Sequence, residues 1–155
     1  MLFLMVKFAS QQLIVLLLFV SRERDEYETE TFTTETRYSK STGLPLVSFT
    51  RLNGLLHATP DDQPSYVLYD ELGRPKLMQW HHEDELHRDG AGAMIYIDPE
   101  TQVHTNEGFY TMGQPRDRSF GPHIVSRDHI TGVITELRYA GDEDLQSSLG
   151  LQEPP

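Results

Sequence analysis

"GLPLVSFTRLNGLLH", Gly43 to His57, lies over "GRPKLMQWHHEDELH", Gly73 to His87, without a gap. Gly43 pairs with Gly73, Pro45 with Pro75, Leu56 with Leu86 and His57 with His87. A third copy is looser: Phe109 falls near Trp80, Gly113 near Asp84, and Phe120 to Val125 near Gly90 to Ile95. A fixed period of about thirty residues is the mark of a repeat array, in which each unit buries its apolar face against its neighbour.

Each copy contains paired β-like runs with turn residues between them: "SYVLYD" and "KLMQW" around "ELGRP", "AMIYID" and "VHTNEGFY" around "PETQ", "HIVSRD" and "VITELRY" around "HITG". Short runs rich in Val, Ile, Tyr and Phe, bounded by Gly, Pro and Asp, predict hairpins. The first strands end on Asp70, Asp98 and Asp128. An aspartate there can open a turn by accepting backbone N–H groups two residues on. "RERDEYETETFTTETRY", which mixes Thr, Tyr and Phe with acids, predicts an exposed, half-polar strand. No long helical period is present. The expected fold is all-β: three to four antiparallel hairpins in one twisted meander. Its aromatics Phe49, Trp80, Phe109, Tyr110 and Tyr139 are expected to form one stacked ridge in the core.

Thirteen basic against twenty-four acidic side chains give a formal charge of −11. Such a chain repels nucleic acid and anionic lipid on average and suits a basic protein partner. With no cysteine, disulfides, thiolate metal sites and a cysteine nucleophile are excluded. From Met1 to Val20 only Lys7, Ser10, Gln11 and Gln12 interrupt an apolar run, the length of a membrane span of about twenty residues. Lys7 could snorkel near a helix end, and small residues for signal cleavage are missing around Phe19 to Ser21. The expected organisation is an anchor or signal-like segment over 1–21, a repeat domain over 22–140 and an acidic disordered tail over 141–155. A membrane-anchored or exported location is therefore favoured over the cytoplasm, with membrane contact through residues 1–20.

"ELHRDGAGAMIYID" and "RSFGPHIVSRD" resemble the MORN-like β-hairpin repeats of bacterial and phage proteins, whose unit reads approximately Asn-Gly-x-Leu-His-Arg-x-Asp-Gly-Pro-Ala-x-Ile. Leu86, His87, Arg88, Asp89, Gly90 and Ala93 carry the match in one copy, Gly121, Pro122 and Ile124 in the next, and Asn53, Gly54, Leu56 and His57 in the first. Asp89 follows Arg88 directly, Gly92 stands where Pro is expected, and the first copy has "ATPDDQPS" in place of the second half of the unit. What the resemblance implies is a binding or scaffold module.

His81, His82 and His87, with Asp84 and Glu85, have ligand types that zinc accepts, which makes a metal binder or hydrolase the alternative. The zinc-hydrolase pattern needs a histidine four residues after the first, and after His82 that position is Leu86. The recurrence of His57 as His87 favours packing, with the imidazole bonded to backbone across a turn. "DGAGAMI" lacks the third glycine of a dinucleotide loop, so Gly90 and Gly92 are expected to supply positive φ instead. No nucleophile elbow is present, and neither catalysis nor a cofactor is expected. The expected function is protein–protein recognition through Asp61 and Asp62, through Glu83, Asp84 and Glu85, and through Arg116 and Arg118.

Overall fold

The structure, a computed structural model, describes residues 31–142. In chain order its strands are β1 (Phe32–Tyr38), β2 (Pro45–Leu52), β3 (Leu55–Leu56), β4 (Tyr66–Tyr69), β5 (Pro75–Gln79), β6 (His81–His82), β7 (Glu85–Leu86), β8 (Met94–Ile97), β9 (His104–Gly108), β10 (Tyr110–Thr111), β11 (Gln114–Pro115), β12 (Ile124–Arg127) and β13 (Ile134–Arg138). A 3₁₀ turn covers Arg118–Phe120. Long strands form one antiparallel meander in the order β1-β2-β4-β5-β8-β9-β12-β13.

Three of the four turns that close its long hairpins share one chemistry, and Ser39 Oγ serves in the first, accepting Thr42 N–H at 3.3 Å. Asp98 Oδ1 accepts the N–H groups of Glu100 and Thr101, both at 2.9 Å, and Asp128 Oδ1 accepts those of Ile130 and Thr131 at 3.1 and 2.8 Å. Asp70 Oδ1 takes Leu72 N–H at 2.9 Å and Arg74 N–H at 2.7 Å. The aspartates foreseen as turn initiators thus satisfy backbone donors that the strands cannot. Each hairpin contains one register shift, at Arg37/Tyr38, Leu68/Tyr69, Tyr96/Ile97 and Ser126/Arg127. Extra residues of this kind strengthen the local twist.

A second, smaller hairpin follows the long strand of each copy. β2 turns into β3 through Asn53–Gly54, β6 into β7 through Glu83–Asp84, and β10 into β11 through Met112–Gly113. Both central residues are left-handed each time, with φ of 51 and 93°, 50 and 68°, and 46 and 72°. That is the backbone a two-residue hairpin loop demands. The small hairpins bond to one another: Asp84 N–H donates to Leu56 C=O at 3.0 Å and Gly113 N–H to Leu86 C=O at 2.9 Å.

The repeat is also written in the ladder. Thr50, Trp80 and Phe109 donate N–H to Ser65, Ala93 and His123, and accept at C=O from His57, His87 and Arg116. These three residues are therefore equivalent, which corrects the expected aromatic ridge. Phe49 precedes the equivalent position and points to the opposite face, where it packs edge-on to Tyr66 at 5.5 Å. The buried cluster is Trp80, Ile95 and Ile97, with Ala58 and Met78 against it. Gly90 has φ +72° as expected, whereas Gly92 has no positive φ. Gly92 serves close approach instead: a Cβ there would stand 3.4 Å from Glu107 Cβ.

The apolar run over 1–20 lies outside the described residues, as does the acidic stretch from 143 onward. Among the described residues no helix is long and apolar enough to cross a membrane.

Candidate functional site

The histidines of the metal-like motif are divided by the strand they share. His81 and His82 are neighbours on β6, so their side chains leave it in opposite directions. His81 is buried, 8 % exposed, and its Nδ1 meets Ser65 Oγ at 2.7 Å. Burial holds its imidazole below the ordinary pKa, against the pull of the Asp84 charge. His82 instead joins a column along the small hairpins, 4.6 Å from the His57 ring and 5.7 Å from the His87 ring, with Phe32 beyond His57 at 6.1 Å. Among the described residues no group of three His, Cys, Asp or Glu is placed to hold a metal ion.

His57 and His87 do the same work in successive copies. Nδ1 of His57 accepts the Glu83 N–H, and Nδ1 of His87 accepts the Met112 N–H, each at 3.4 Å. Each imidazole thus receives the first residue of the next small turn. His82 Nδ1, in contrast, is buried with no hydrogen-bond partner.

Two grooves related by the repeat open beside this column. The first, about 430 Å³, is lined by Trp80, His82, His87, Arg88 and Asp62 among others. Arg88 covers the Trp80 ring, its Cζ 3.7 Å from the centroid. The same guanidinium forks onto the Asp62 carboxylate, with Nη2 at 2.7 Å and Nε at 3.0 Å, and reaches Gly92 C=O at 3.2 Å. Trp80 Nε1 donates to the Asp62 carbonyl at 2.9 Å. Ring, cation and acid are thereby locked to one another.

The second groove, about 530 Å³, is lined by Phe109, Tyr110, Pro115, Arg116, Gly90 and Phe120 among others. Arg116 covers Phe109 with its Cζ 3.9 Å from the centroid. Arg118 covers Tyr139 at 5.1 Å and pairs with Asp142 at 2.5 Å. Sequence spacing does not expose these three stacks, because the arginine stands at a different distance from its ring each time. Arginine beside the late aromatic of a copy was the only available signal.

The residues expected to contact a partner are thus distributed unevenly. Asp62, Asp84 and Arg118 are occupied internally, Asp84 through the Leu56 N–H at 2.7 Å. Asp61 accepts the Thr59 hydroxyl, and Glu83 and Glu85 are exposed on the small hairpin. The Arg116 guanidinium lies over the Phe109 ring and makes no hydrogen bond or ion pair among the described residues. At the end of the meander, every residue of β13 is exposed. Ile130, Val133, Ile134 and Leu137 there are 68, 63, 52 and 44 % exposed. β1, the opposite edge, is mostly Thr, Glu and Arg.

Comparison of the chain with protein-family models, curated proteins and solved structures returns no match.

Proposed function

We propose that this chain is a non-catalytic repeat module of the MORN-like kind that recognises another protein, and that the partner adds a strand to β13. The observation that carries this reading is the last strand of the meander, exposed at every residue, with Ile134 and Leu137 exposed within it and Ile130 and Val133 exposed just before it. An open edge presents unpaired N–H and C=O groups, and natural edges are usually blunted by charge or proline. β13 has one such guard, the Glu136–Arg138 pair at 2.7 Å, which flanks Leu137. Strand addition would supply main-chain bonds while the apolar side chains set specificity. The formal charge of −11 favours a basic partner at long range.

Arg138 C=O accepts from His123 N–H, so alternation turns the polar groups of Leu137 outward, whereas the register skips Thr135 at the bulge. Leu137→Pro therefore removes an outward donor and leaves the ladder to β12 intact. A photo-cross-linker at Val133, used in the native host, is expected to give a discrete adduct that Leu137→Pro abolishes. An adduct insensitive to the proline would reject strand addition.

A further inference from the structure

The two grooves differ at one position that the repeat makes comparable. Tyr66 pairs with Gln79 beside Trp80, and Met94 pairs with Gly108 beside Phe109. Counting back the same number of residues from Tyr66 and Met94 reaches Asp62 and Gly90. Both are left-handed, with φ of 62 and 72°. The place that presents a carboxylate to the first groove thus presents a hydrogen atom to the second.

The consequence falls on the arginines. Arg88 has its bidentate acid and a carbonyl as well. Arg116, held flat on Phe109, has no hydrogen bond or ion pair from its guanidinium among the described residues. Two carboxylates line the same cavity without serving it. Asp117 accepts the N–H of Ser119 at 2.8 Å and its hydroxyl at 2.5 Å, and Asp89 lies 3.9 Å from the His87 ring with its side chain 96 % exposed. The rest of the lining includes Tyr110, Pro115 and Phe120, the last 79 % exposed. A planar guanidinium fixed on a ring, facing an open groove whose walls include Tyr110, Pro115 and Phe120, is suited to a carboxylate presented on a polypeptide.

We infer that the Phe109–Arg116 groove is a binding site for an acidic side chain of a partner polypeptide, which takes the place that Asp62 fills in the groove before it. The site is separate from the β13 edge and stands whether or not that edge takes a strand. The acids that line the groove are held elsewhere, Asp117 on Ser119 and Asp89 beside His87, and at about 0.15 M salt charges beyond about 8 Å are largely screened.

The test follows the arginine Nε–H resonances of the full chain by NMR during titration with acetyl-Gly-Asp-Gly-amide, with the Asn peptide as control, at about 0.15 M salt. The Asp peptide is expected to shift the Arg116 signal saturably, with Kd on the order of 1–10 mM for so small a ligand, and to leave Arg88 unmoved. Gly90→Asp keeps Arg116 in place and copies the internal acid of the first groove. Nothing lies within 4 Å of a Cβ at Gly90, and aspartate tolerates the left-handed backbone. It should shift Arg116 by itself and weaken the peptide at least tenfold. Asp62→Gly is expected to make Arg88 responsive in turn. The inference is overturned if the Asn peptide acts equally, if nothing shifts, or if Gly90→Asp binds as the parent does. It is equally overturned if the shift emerges only after Glu143→Gln, Asp144→Asn and Glu153→Gln, since the chain's own acids would then hold the site.

Discussion

Arg88 lies over Trp80 at 3.7 Å while its fork grips Asp62, the residue whose carbonyl receives the Trp80 indole N–H. The three residues come from two copies of the repeat and close a ring of interactions around the most buried aromatic of the sheet. A single-layer sheet gives few residues two covered faces. Much of its stability should therefore sit in such local locks.

Trp80→Ala is accordingly expected to cost about 3–5 kcal/mol, as for a buried aromatic. Arg88→Ala should cost about 1–2 kcal/mol through loss of the stacked cation and its hydrogen bonds. In a double-mutant cycle Asp62→Asn and Arg88→Gln should couple by about 0.5–1 kcal/mol, because Asp62 remains largely solvated. Urea denaturation of the four proteins measures this, and additive effects would show the fork to be incidental.

Two neighbouring histidines should answer differently to substitution. His87→Ala removes the acceptor of the Met112 N–H and should lower stability by about 1–2 kcal/mol. His82→Leu removes a buried nitrogen that has no partner and should leave stability unchanged or raise it by up to about 1 kcal/mol. Urea midpoints decide between them, and equal losses would contradict the division of roles.

Stability should fall with acid in two stages. His81 is held below its ordinary pKa by burial, so the unfolded chain takes up that proton first as the pH falls. Its contribution is complete above the unfolded value of about 6.5 and is lost as pH drops through the folded value. Asp98 and Asp128 are held low chiefly by the backbone N–H groups of Thr101 and Thr131. Their contribution is complete above about 3.9 and is lost below it. Thermal melts against pH should show His81→Gln flattening the upper stage alone and Asp98→Asn reducing the lower alone.

The small turns carry strain that can be relieved. Met112, at φ 46°, is a poor residue for a left-handed position that Asn53 fills in the first copy. Met112→Asn should raise stability by about 0.5–1 kcal/mol. Gly113→Val, at φ 72°, should lower it by about 1–3 kcal/mol. Calorimetric melting temperatures moving in the same direction for both would show that turn conformation does not limit this hairpin.

Hairpin positions, turn aspartates, the period and the packing role of His57 and His87 were all legible in the residues, because each is a local matter. Alternation, a side chain that reaches two residues along, and a left-handed backbone are all settled within one copy. Relations between copies were not legible. The connectors between small hairpin and next strand differ in length, so linear spacing does not place Asp62 against Arg88 or Gly90 against Arg116. The ungapped match, by contrast, already sets Phe49 on Gln79, one step off the Trp80 position, and alternation sends it to the other face of the sheet. An all-β meander of hairpins, and where each one turns, could be read from the residues alone. Which arginines are satisfied, and which aromatic each one covers, came from the fold, because those outcomes depend on side chains meeting across the ladder.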